Sequence, residues 1–120
     1  MTRALDLLRR RWLPLTLALA ALVAWLSLIP ETRMPGPAKA HDKVEHLIAY
    51  AALAFPAAFA RPRGWPWVLA AVAAFSAGIE LVQPLAGRAA SLADLAMNMA
   101  GVGIGLAAAS VLRRLAESRT

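Results

Sequence analysis

A chain of 120 residues that is 60% hydrophobic, with a mean hydropathy of +0.58 and a net charge of +6, cannot bury its apolar surface in one water-soluble core. The excess must face lipid, and apolar stretches of about 20 residues account for nearly the whole length, which leaves no room for a soluble catalytic domain. The basic residues gather at the ends of these stretches without an interleaved aromatic platform, which argues against nucleic acid as a partner, and the absence of cysteine removes any disulfide framework, thiolate metal site or thiol nucleophile.

The first stretch, "WLPLTLALAALVAWLSLI", follows Arg9, Arg10 and Arg11 and stops at Pro30. A basic region before an apolar run also describes a signal peptide. Here the run is long and is followed by "PETRMPGP" rather than a small-residue cleavage site, so an uncleaved helix over about 12–29 is expected. Pro30, Pro35, Gly36 and Pro37 make the next residues a loop. The second helix begins near Asp42, enters the membrane over about 44–60, and carries Pro56, which is expected to kink its last turn.

The connection "RPRGWP" is short, so the second and third helices are antiparallel neighbours, and Pro66 suits a first helical turn. The third helix, about 67–85, ends at Pro84 and Gly87. The fourth, about 92–112, follows Ser91, a candidate N-cap with Asp94 three residues on, and closes on Arg113 and Arg114. The expected fold is all-α: a single-domain integral membrane four-helix bundle over residues 1–120.

Lysine and arginine set the expected orientation. Arg3, Arg9, Arg10 and Arg11 precede the first helix, Arg61 and Arg63 lie between the second and third, and Arg113, Arg114 and Arg119 follow the fourth. The other two loops hold Arg33, Lys39, Lys43 and Arg88. The positive-inside rule therefore places both termini in the cytoplasm, N-in and C-in. Trp12, Trp65 and Trp67 then mark the inner interface and Trp25 the outer one.

With that orientation, a rise of about 1.5 Å per residue puts His46, Glu80, Gln83, Asp94 and Asn98 within roughly 10 Å of the outer boundary. Asp42, His46 and Tyr50 share one stripe of the second helix, with Glu45 beside it. Ser91, Asp94, Asn98, Gly101 and Gly105 form a stripe of the fourth that is polar at its outer end and glycine deeper in, suited to close helix packing.

Asp42, Glu45 and Asp94 near helix N-termini are also explained by the macrodipole. Gly101, Gly103 and Gly105 lack the preceding strand of a phosphate loop. Glu80 and Asn98 are harder to assign to helix ends, because an acid within a span costs about 2.5–3.5 kcal/mol at mid-helix and normally faces the bundle interior with a partner.

The second and fourth helices both begin at the outer face, where their unpaired N–H groups suit a phosphate or carboxylate. The expected site binds such a group through Arg88 and Lys43, with Glu80 and Asp94 orienting Arg88 and His46, and with Gln83, Asn98 and Tyr50 supplying neutral hydrogen bonds. A metal held by His46, Glu80 and Asp94 lacks any recognised ligand spacing, so no metal and no cofactor is expected.

The segments "DKVEHLIAYAAL" and "IELVQPLAGRAASLADLAMNMAGVGIG" resemble the VanZ-like family, small polytopic membrane proteins of bacteria. The resemblance rests on Asp42, Lys43, His46 and Tyr50, then Glu80, Gln83, Gly87 and Arg88, then Ser91, Asp94, Asn98, Gly101 and Gly105, and spans Pro30 to Ala108. Ala54-Phe55-Pro56 departs from it, where a glycine and no proline is more usual.

The resemblance implies a four-span protein of the bacterial inner membrane. Its named member is associated with resistance to the glycopeptide teicoplanin, whose targets lie on the outer face of the membrane. The ligand expected from both lines is an anionic or amide-bearing envelope molecule, a membrane lipid head group or a lipid-linked cell-wall precursor.

Two rivals use the same residues. One is a membrane-embedded hydrolase or transferase acting on lipid-linked phosphate, with His46 as the candidate catalytic acid or base and Arg88 clamping the phosphoryl group. Against it, the chain offers no recognisable nucleophile, since Ser91 is explained as a cap. The other is a structural module in which the polar group ties together a homo-oligomer.

Overall fold

Backbone hydrogen bonds inside a membrane must be met within the segment itself, and the chain meets them with helices throughout. In the computed structural model, residues 2–28, 38–86 and 92–118 are described, with side chains over 3–28, 44–85 and 92–118. They form α1 (Thr2–Leu28), α2 (Ala38–Ala60), α3 (Trp65–Val82) and α4 (Leu92–Ser118), with 3-10 turns at Pro62–Gly64 and Gln83–Ala86 and no strand among the described residues. The expected all-α four-helix fold is present.

By length and composition, α1, α3 and α4 can each cross a membrane, while the apolar part of α2, Val44–Ala60, is shorter. The difference follows from position. Helix α2 packs against all three others, most extensively against α4, and its His46 and Tyr50 are sheltered by protein. His46, Tyr50, Leu53, Ala54, Ala57 and Ala58 are buried, and Val44 and Ile48 form an exposed stripe on the opposite side. Large apolar side chains including Leu17, Trp25, Trp67, Leu81, Leu85 and Leu92 are more than half exposed, as a lipid-facing surface requires.

Helix α1 starts about ten residues before the apolar run. Its first turns are amphipathic, and Leu5 and Leu8 pack on Ala58, Phe59 and Ala109. Arg9 lies over the Phe59 ring at 5.2 Å from its centroid. The helix bends at Arg11 (φ −111°, ψ 17°), three residues before Pro14, whose ring cannot share space with the preceding turn and which donates no hydrogen bond to the Arg10 carbonyl. The kink expected at Pro56 is not present: helix α2 runs past it to Ala60 without a break in its helical backbone.

Helices α2 and α4 are parallel neighbours in close contact. A Cβ at Gly105 would lie 2.5 Å from the Ala51 carbonyl oxygen, and one at Gly101 would overlap that of Leu47. Only glycine lets the two backbones approach this closely. Tyr50, Leu53, Ala54 and Val102 form the core at this seam, with Val23 from α1 and Val72 from α3.

At the far end of α2 the chain turns at Pro62, which has no N–H for the Ala58 carbonyl four residues earlier. Arg113 of α4 supplies the missing donor, its guanidinium bonding Ala58 O at 3.0 Å. Arg61 rests over the Trp12 ring at 5.7 Å.

Gly105→Ala should lower stability in detergent by about 1–3 kcal/mol, because the obstructing atoms are backbone. Gly103→Ala, where an added Cβ meets nothing within 4 Å, should raise stability by up to about 1 kcal/mol through helix propensity. Thermal unfolding of both variants tests the seam, and equal shifts would contradict it. Arg113→Met should cost about 1 kcal/mol, and Pro62→Ala in that background should recover part of the loss by restoring a backbone donor to Ala58. A strictly additive double mutant would show that the two are not coupled.

Candidate functional site

One end of the bundle is polar inside. His46 sits on the buried face of α2, Asn98 one turn before Gly101 on α4, and Ser76 on α3, with Asn98 and Ser76 fully buried. Asn98 Nδ2 donates to Ser76 Oγ at 2.7 Å. In that orientation of the amide, Oδ1 accepts from His46 Nδ1–H at 2.6 Å. A single amide thus joins three helices. The His46 ring stacks on Tyr50 one turn deeper, with centroids 6.5 Å apart and planes 4° from parallel, and Tyr50 contacts Phe75 of α3.

Helix α3 presents Ser76, Glu80 and Gln83 at helical spacing, all buried. Gln83 Nε2 donates to the Ser27 carbonyl at 3.1 Å. Ser27 lies in the last turn of α1, whose carbonyls have no donor within the helix, so Gln83 acts as a cap from outside. Glu80 lies within electrostatic reach of Tyr50. The Tyr50 hydroxyl adjoins Ser76 without reaching hydrogen-bond geometry, and neither Tyr50 Oη nor Gln83 Oε1 has a hydrogen-bond partner among the described residues.

The structure buries His46, Tyr50, Glu80, Gln83 and Asn98 in the half of the bundle where α2 and α4 begin. Asp94, one turn above Asn98 in the first turn of α4, is only partly buried. Asp42 and Lys43 fall in the first turns of α2, with side chains outside the described residues, and Arg88 lies wholly outside them. Glu45 faces outward.

Sequence reasoning missed two contributors. Ser76 could have been found as the residue one turn before Glu80 on the same face. Ser27 contributes a main-chain oxygen, which leaves no mark in the sequence.

Chemically, the arrangement is better suited to hydrogen bonding than to covalent catalysis. The buried Ser76 hydroxyl is separated from His46 by the Asn98 amide, so they do not form a nucleophile–base pair. Among the described residues no three His, Cys, Asp or Glu side chains are grouped to hold a metal, and His46, Glu80 and Asp94 do not form such a set.

Four helices, three of them of membrane-spanning length and apolarity, around a buried polar end define a small helical membrane protein. The chain belongs to the VanZ/LLP1 family, whose pattern it matches over residues 11–113, most of its length. No curated protein and no solved structure matches it.

Asn98→Leu should cost about 1–3 kcal/mol by stranding buried groups on two other helices. Combined with Ser76→Ala, the loss should fall short of the sum by about 0.5 kcal/mol or more. Chemical or thermal unfolding of the three variants measures this coupling, and simple additivity would mean that Asn98 does not bridge α3.

Proposed function

We propose that this VanZ-family protein crosses the bacterial inner membrane several times, with both termini inside, and that its outward polar end binds an anionic or amide-bearing envelope molecule. The ligand is a membrane lipid head group or a lipid-linked cell-wall precursor. The observation that carries this reading is the pair of buried polar atoms, Tyr50 Oη and Gln83 Oε1, that have no hydrogen-bond partner among the described residues. Buried polar atoms left unpaired cost about 1–3 kcal/mol each, a cost that an occupant removes.

The arginine-rich end supports the orientation, since Arg9, Arg61 and Arg113 all engage the end opposite His46 and Asn98. Helices α2 and α4 both start at the polar end, so two sets of unpaired N–H groups favour negative charge there. Arg88 and Lys43 are assigned to the anion from their sequence positions, Glu80 and Asp94 to orienting the cations, and His46, Asn98 and Tyr50 to the neutral wall.

A hydrolase or transferase using His46 and Arg88 is less well supported, because Asn98 stands between His46 and the buried Ser76 hydroxyl. A part in teicoplanin or other glycopeptide resistance would follow if the ligand is a cell-wall precursor.

Native mass spectrometry of the protein released from its own membranes, beside Arg88→Ala, tests the binding role. A defined added mass on the wild type that is lost from the variant is expected. Bare chain or bare oligomer in both spectra would shift the role of the polar end to helix association.

A further inference from the structure

Gln83 carries information about what the ligand must offer. Its side chain is 1% exposed, and its Nε2 donates to Ser27 O at 3.1 Å. A main-chain carbonyl can only accept, so turning the amide over would set two oxygens against each other. The orientation is therefore forced, and Oε1 is left as a buried acceptor with no donor in hydrogen-bond contact among the described residues. Tyr50, also 1% exposed, presents a hydroxyl with no partner in hydrogen-bond geometry among the described residues. Glu80, one turn before Gln83 on α3, brings a carboxyl to the same face.

A bare phosphate or carboxylate offers mainly acceptors and would meet Gln83 Oε1 lone pair to lone pair, a costly contact where water is excluded. A hydroxyl has the functions both atoms lack: it can donate to Gln83 Oε1 and it can accept from Tyr50 Oη. An amide presents the same pair of functions.

We infer that the site reads a hydrogen-bond donor, a hydroxyl or amide N–H, carried on the head group next to its anionic centre, and that Gln83 and Tyr50 are the residues that read it. This rests on the binding role proposed above. The polar end lies among helices of lipid-spanning length, so the donor arrives on a membrane lipid.

The test uses the full chain in nanodiscs of phosphatidylcholine containing equal amounts of phosphatidylglycerol and phosphatidic acid with identical acyl chains. At about pH 9, above the second ionisation of a phosphate monoester, both added lipids are anionic and phosphatidylglycerol has the hydroxyls that the phosphatidic acid head group then lacks. Lipids retained after gentle release are counted by native mass spectrometry.

Phosphatidylglycerol should be retained about fivefold over phosphatidic acid, the ratio that one net hydrogen bond of roughly 1 kcal/mol supplies. Gln83→Met should abolish the preference. Because that variant also loses the tie to Ser27 and could fail to fold, Tyr50→Phe provides the second arm. It removes only a hydroxyl without a hydrogen bond, so it should reduce the preference while leaving the unfolding temperature unchanged or raised.

Equal or stronger retention of phosphatidic acid, unaffected by Tyr50→Phe, would overturn the inference and leave anion binding standing. Enrichment of neither lipid over phosphatidylcholine would overturn the binding role itself.

Discussion

The close passage of α4 over α2 at Gly101 and Gly105 governs the rest of the structure. With no side chain at either position, the α4 backbone meets the main chain of Leu47 and Ala51 directly. Lipid offers little hydrophobic drive for helices to associate, so such contact, with dispersion and interhelical hydrogen bonds, has to supply the adhesion. The same approach lets Asn98 reach His46 at 2.6 Å one turn toward the polar end, and lets Arg113 reach Ala58 toward the other. A single parallel seam thus sets both ends of the bundle, and α1 and α3 also pack against α2.

The two ends solve the problem of unpaired main-chain groups differently. At the arginine end, Pro62 leaves the Ala58 carbonyl without its helical donor, and a guanidinium from α4 replaces it. At the polar end, the terminal carbonyl of Ser27 is met by the Gln83 amide. The first repair engages an arginine whose position membrane topology favours in any case. The second commits one half of a buried amide and leaves its oxygen facing inward, which turns a capping interaction into a constraint on what the polar end can bind.

Much of this was legible in the sequence. Hydropathy and proline placement located the helices, and helical spacing together with depth picked out His46, Tyr50, Glu80, Gln83 and Asn98. The glycine stripe of α4 was recognisable as a packing face. Partnerships were harder to read, because they depend on how far each helix is rotated about its axis, and that rotation is set by the Gly101 and Gly105 contacts rather than by any local pattern. The sequence therefore gave no sign that Asn98 would bond His46 on one side and Ser76 on the other. Nor did hydropathy reveal that α2 is the helix against which all three others pack, or that α1 extends its helix back to Thr2 to cover Phe59 with Leu5 and Leu8. The burial of one face of α2 accounts for the polar residues His46 and Tyr50 within it.

The most direct test of the claim that the polar end is a ligand site is an experimental structure of the protein extracted with its native lipids, at a resolution that shows head groups. The account predicts a non-protein group within about 3.2 Å of both Tyr50 Oη and Gln83 Oε1, with the His46–Asn98–Ser76 bonds intact behind it. Protein side chains closing on Tyr50 and Gln83 and satisfying both atoms would contradict it, and would make the polar end a device for holding helices together.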